Sequence, residues 1–145
     1  YFLERRLYLF LTIILTANSI MAENINHVSD FKWSNRVLVL VENGGTDLLN
    51  SVIENKKKLE ERDFVVVLVR DKKSYIDSQE MPGKFTKSIF RKIKNSRKNH
   101  SLFIIGKDGE LKHSYLENTY LKTIFSDVDR MPMRKYEMLL NTNKN

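Results

Sequence analysis

No cysteine occurs anywhere in the 145 residues. That absence removes disulfides, thiolate nucleophiles, thiol–disulfide exchange and cysteine metal ligands from this chain. Proline and glycine are scarce, at two and five residues, so no long linker or low-complexity tract is expected. The three histidines, His27, His100 and His113, stand at no helical spacing from one another or from a second metal ligand. No lysine follows the glycine pair 44–45 at Walker spacing, which excludes a P-loop. Neither a metal nor a cofactor is implied.

What is present is an ordinary globular composition, 41% hydrophobic and 30% charged, enough for one domain with one core. The first residues stand apart. Arg5 and Arg6 precede the apolar run "LYLFLTIILTA" (7–17), and the polar "NSIMA" ends at Ala22. A basic start, a short apolar stretch and a small residue before the break read as a signal peptide over 1–22, with a single domain over 23–145. An uncleaved anchor is the alternative, since 7–22 spans a thinned bilayer if tilted. The expected location is therefore periplasmic or secreted, where nucleic acid is an unattractive partner.

Residues 36–42 are rich in valine and leucine with little alternation, as in a strand buried on both faces. Gly44 and Gly45 break the run, Thr46 suits an N-cap, and Asp47 falls in the first helical turn. Leu48, Leu49, Val52, Ile53 and Leu59 recur at helical spacing to about Arg62. "FVVVLV" (64–69) is a second buried strand, and the polar stretch 70–83 reads as a loop. Phe85, Ile89, Phe90 and Ile93 mark a second helix. "SLFIIGKDGELKHSYL" (101–116) reads as a hairpin turning at Asp108-Gly109 in a type I′ turn, with His113 facing Ile104. Asn118 is positioned to cap a third helix carrying Leu121, Ile124, Phe125 and Val128. The order β-α-β-α-β-β-α predicts an α/β fold of thioredoxin-like type: a three-layer α/β/α sandwich around a central four-stranded mixed sheet. Other α/β sandwiches share that order.

Four strings, "FKWSNRVLVLV" (31–41), "LEERDFVVVLV" (59–69), "LFIIGKDGELK" (102–112) and "DVDRMPMRKYEM" (127–138), resemble the bacterial P-DUDES family, DUF 4174. The resemblance covers about residues 28–138. It implies a thioredoxin-like fold in exported proteins, with animal relatives among sushi-repeat extracellular matrix proteins. It supplies no catalytic residues. Thioredoxins keep a dithiol between the first strand and first helix and a cis-proline before the third strand. This chain has neither.

Two places remain as candidates. Gly44, Gly45, Thr46 and Asp47 occupy the strand–helix turn as a vestigial site, although a tight turn and an N-cap account for these residue types. The segment "KFTKSIFRKIKNSRK" (84–98) carries Lys84, Lys87, Arg91, Lys92, Lys94, Arg97 and Lys98 and no acid. Its charge equals the +7 of the whole chain, so the remainder balances to zero. It reads as a basic amphipathic helix and either a solvated face or a contact surface for an anionic membrane, polysaccharide or protein. "MPMRKYEM" explains itself as packing, with Pro132 starting a helical turn and Met133, Tyr136 and Leu140 on one face. The expected function is an exported, non-redox binding or scaffold module. The alternative is an enzyme that uses the first strand–helix turn without thiols.

Overall fold

The computed structural model of the chain describes residues 24–42 and 47–144. The proposed signal peptide, together with Gly44, Gly45 and Thr46, lies outside the described residues. A short 3₁₀ turn, Val28–Phe31, comes first. Then follow β1 (Arg36–Val41), α1 (Asp47–Glu54), α2 (Lys56–Glu60), β2 (Phe64–Arg70), β3 (Lys73–Ile76) and β4 (Gln79–Glu80). The chain continues through α3 (Gly83–Ile93), β5 (Leu102–Ile105), β6 (Leu111–Tyr115), α4 (Leu121–Asp129) and α5 (Pro132–Thr142).

The strands form one mixed sheet in the order β4-β3-β2-β1-β5-β6. β1 and β2 are parallel, and the other neighbours are antiparallel. β1 is buried along its whole length, and its alternation feeds two cores. Val37, Val39 and Val41 join Val67, Phe103, Ile105 and the α3 residues Phe85, Ile89 and Ile93. Leu38 and Leu40 point the other way, into a cluster with Val52, Leu59, Ile124 and Val128. Helices therefore cover both faces of the sheet, which is why the central strands read as unbroken apolar runs.

The sheet has six strands, not the expected four. The stretch 70–83, read as a loop from its polarity, holds two successive hairpins. Arg70 pairs with Lys73 around Asp71-Lys72, and Ile76 pairs with Gln79 around Asp77-Ser78. All four turn residues have positive φ, between 48° and 65°. Two-residue loops with positive φ at both positions are the hairpin turns that match strand twist. They are built without glycine, and β3 and β4 are short and polar in all but Tyr75 and Ile76, so no apolar alternation advertised them.

Other boundaries moved for local reasons. The first helical stretch is split at Asn55, whose side-chain amide donates to the Ser51 carbonyl (2.8 Å). α3 ends at Ile93, the last residue of its apolar stripe, so Lys94, Arg97 and Lys98 lie in the following turns and not on a helix. α4 begins at Leu121, with Tyr120 as N-cap and no side-chain cap, so Asn118 does not serve as one.

The β5–β6 turn is also not type I′. Gly109 N–H donates to the Gly106 carbonyl (2.9 Å), and only Gly109 has positive φ, at 83°. Gly106 N–H donates to the Glu110 carbonyl, which makes a three-residue loop. A bulge between Ile104 and Ile105 then absorbs one residue, and Ile104 pairs with His113 as expected. Two irregularities cancel to give the anticipated register.

Candidate functional site

α3 lies on the sheet with Phe85, Ile89 and Ile93 fully buried. Those anchors turn Lys84, Lys87 and Arg91 outward, and Lys94, just past the helix end, is exposed as well. Arg97 and Lys98 are exposed in the turns beyond. The Arg97 guanidinium sits 4.5 Å from the centre of the Phe90 ring, which holds that charge against the helix. Lys92 is half-buried and pairs with Glu110 at 3.5 Å. The other six cations form no salt bridge among the described residues. Six positive charges at the surface of the segment therefore have no salt-bridge partner among the described residues.

Two open clefts border this segment. One, of about 620 Å³, lies between α3 and the β3–β4 edge, with Lys72, Lys87, Thr86 and Phe90 among its lining residues. The other, of about 680 Å³, brings Asp47 and Leu48 of α1 together with Arg97, Lys98 and His100 and with Leu116 and Glu117 after β6. The tail of the basic segment and the described part of the strand–helix turn thus meet at one cleft. His100 Nδ1 is 3.0 Å from the Ser96 carbonyl and donates to it. Among the described residues no group of three or more His, Asp or Glu is placed to hold a metal ion.

A second cluster, which sequence reasoning did not find, lies near the start of β1. Arg36 is 1% exposed. Its guanidinium makes two parallel hydrogen bonds of 3.1 Å to the Glu137 carboxylate and a third, 2.9 Å, to the Arg62 carbonyl. The Lys107 ammonium is 2.7 Å from both Glu137 and Asp63. Arg62 forks onto Asp129 at 2.9 and 2.8 Å, and Arg134 reaches Asp129 and Glu137 at 3.4 and 3.5 Å. Burial pushes the Glu137 carboxyl up, but the Arg36 guanidinium and Lys107 ammonium outweigh it and hold the group below its ordinary range. Asp129 is shifted down in the same way, burial opposing and Arg62 prevailing. The one available signal was Arg36 itself, an arginine heading an otherwise apolar buried strand.

Every member of this cluster is paired, and neither of the two clefts opens on it. It works as a clamp. α5 turns Arg134 and Glu137 toward the body of the protein, and this decides where its other face goes. Met133, Tyr136, Leu139 and Leu140 are 42%, 64%, 64% and 46% exposed. The expected shared face of Met133, Tyr136 and Leu140 is real, but it points outward, and the packing reading is corrected. The charged side took the interior position because Arg36 and Lys107 required a buried anion.

His113 is exposed and stacks on Tyr115, with ring centres 5.8 Å apart. Tyr115 Oη donates to Asp127 at 2.7 Å, and burial together with that carboxylate raises the phenol well above its ordinary range.

Fold and clusters together define a small mixed-sheet α/β domain, helical on both faces, with a basic surface and a buried charge clamp. The family model described as "Domain of unknown function (DUF4174)" matches residues 27–137, and the chain belongs to that family. No curated protein and no solved structure matches the chain. Each of the four strings that carry the family resemblance supplies the clamp: Arg36 from the first, Arg62 and Asp63 from the second, Lys107 from the third, and Asp129, Arg134 and Glu137 from the last.

Proposed function

We propose that this chain is an exported, thioredoxin-like module without thiol chemistry that holds a polyanionic surface through the basic face of α3 and the turns after it. The thioredoxin-like reading is supported by the inner strands, where β2 and β1 run parallel, β5 is antiparallel to β1, and β6 closes the set. The β3–β4 edge is an addition to that arrangement. The export reading rests on the basic and apolar pattern of residues 5–22. The P-DUDES resemblance, with its extracellular animal relatives, agrees with it.

The observation that carries the binding role is charge left uncompensated. Lys84, Lys87, Arg91, Lys94, Arg97 and Lys98 have no salt-bridge partner among the described residues, in a chain whose charges outside the segment 84–98 cancel. Each lysine or arginine close to an anionic surface contributes about 1 kcal/mol, and salt screens the attraction within a Debye length of about 8–10 Å. Three or four simultaneous contacts, at about 1 kcal/mol each, place dissociation constants in roughly the millimolar range.

The test is binding to a carboxylated polysaccharide and to vesicles of anionic and neutral lipid, at low and high salt. The expected result is retention on at least one polyanion that high salt abolishes, with loss in a folded variant carrying Lys87, Arg91, Lys94 and Lys98 changed to glutamine. Unchanged binding by that variant, or none to any polyanion, reduces the segment to a solvated face.

A further inference from the structure

The geometry of α5 points to a second contact surface, and we propose that its outward apolar stripe seats the protein on an anionic lipid bilayer. A helix on a soluble domain ordinarily buries its apolar stripe and exposes its charges. α5 does the reverse. Arg134 is 8% exposed and engages Asp129 and Glu137, while Tyr136 and Leu139 are each 64% exposed. The stripe runs at i, i+3 and i+7 through Met133, Tyr136 and Leu140, with Leu139 beside it.

Size and charge select the occupant. The four side chains offer on the order of 400 Å² at these exposures, against roughly 800 Å² that each partner brings to a standard protein interface. A second copy of the chain is therefore poorly served by this patch. An interfacial helix needs less: one apolar face sunk about 5–10 Å into the headgroup boundary, with cations alongside. The only acid of α5, Glu137, is turned into the clamp, while Lys135 and, beyond the helix, Lys144 are exposed. Tyr136 has an apolar ring with a polar tip, the side-chain type that favours a bilayer interface. This surface is on a different element from the basic face of α3 and does not depend on it.

The test places one tryptophan at a time. Trp33, the only natural tryptophan, is replaced by phenylalanine, and Tyr136→Trp or Lys87→Trp is added as reporter. Vesicles of phosphatidylcholine with phosphatidylglycerol, with and without brominated acyl chains, are titrated at low and high salt. The expected outcome is a blue shift and bromine quenching of the reporter on α5, weakened by about tenfold or more when Leu139 and Leu140 become serine. Both positions are exposed, so thermal unfolding of that variant should match its parent. Salt-sensitive binding that leaves the α5 reporter in water, while the α3 reporter responds, overturns this proposal and leaves the basic-face reading standing. Quenching of the α5 reporter that survives in the glutamine variant of the basic segment supports this proposal alone. Burial of the α5 reporter without vesicles, accompanied by a dimer in sedimentation, also overturns it.

Discussion

Arg36 and Glu137 stand 101 residues apart in the chain and meet through two parallel hydrogen bonds of 3.1 Å. The pair joins the first strand of the sheet to the last helix. A forked guanidinium–carboxylate contact fixes orientation as well as distance. It therefore sets the rotation of α5, and with it the outward apolar stripe.

Breaking the pair from one side should be costly, because the other charge stays buried. Glu137→Gln leaves Arg36 and Lys107 without their shared anion, and a loss of about 3 kcal/mol is expected in urea unfolding. Replacing Arg36 by lysine should cost nearly as much, since a point charge cannot reproduce the fork or also reach the Arg62 carbonyl. A change under about 1 kcal/mol in either variant would show that the clamp orders the helix without stabilising it.

Acid should release the clamp in a defined direction. Glu137 and Asp129 have folded-state values below those of the unfolded chain. Their contribution is complete above the unfolded carboxylate values, about pH 4, and drains away as pH falls through the lower folded values. Urea midpoints measured from pH 7 to pH 3 should stay level and then drop below about pH 4. In Glu137→Gln the drop should be shallower, because one linked proton has been removed from the transition.

The Asp71-Lys72 turn should accept improvement. Lys72 sits at φ 62°, where a side chain costs about 1 kcal/mol and glycine costs little. Lys72→Gly, or Asp71→Asn with it, is expected to raise stability by up to about 1 kcal/mol. Thermal unfolding decides this, and a decrease would mean that the lysine side chain makes a contact worth more than the strain.

Ser88 ties the start of the domain to α3. Its hydroxyl accepts from the buried Val28 N–H at 2.9 Å and donates to the Phe85 carbonyl at 2.6 Å. Ser88→Ala strands that N–H away from water and should cost about 1–3 kcal/mol. Amide exchange at Val28 should accelerate more than exchange in β5, to which the serine makes no hydrogen bond.

Much was legible in the sequence because periodicity and burial coincide. The runs 37–41 and 64–69 announced β1 and β2, since strands covered on both faces carry near-continuous apolar residues. The stripe of α3 and the spacing of Leu121, Ile124, Phe125 and Val128 did the same for helices that bury one face. The β3–β4 edge escaped because its two strands are short and mostly polar and its turns hold no glycine. Of the candidate residues, the exposure of Lys84, Lys87 and Arg91 followed from the stripe that anchors their helix, whereas Lys94, Arg97 and Lys98 lie in the turns beyond it. Their lack of salt-bridge partners among the described residues did not, since any of the 18 acids could have folded back onto them.

The amino-acid sequence by itself determined the absence of thiol chemistry, the alternation of strands and helices, and the concentration of positive charge in one segment. These depend on residue identity and on spacing within a single element. Only the tertiary structure decided that α5 faces inward with Arg134 and Glu137 and outward with its apolar side chains. Within the helix either face is eligible for burial. The choice fell to Arg36 and Lys107, carried by distant parts of the chain, because a cation buried at the head of β1 is far more costly without Glu137 than four half-exposed apolar side chains are in water.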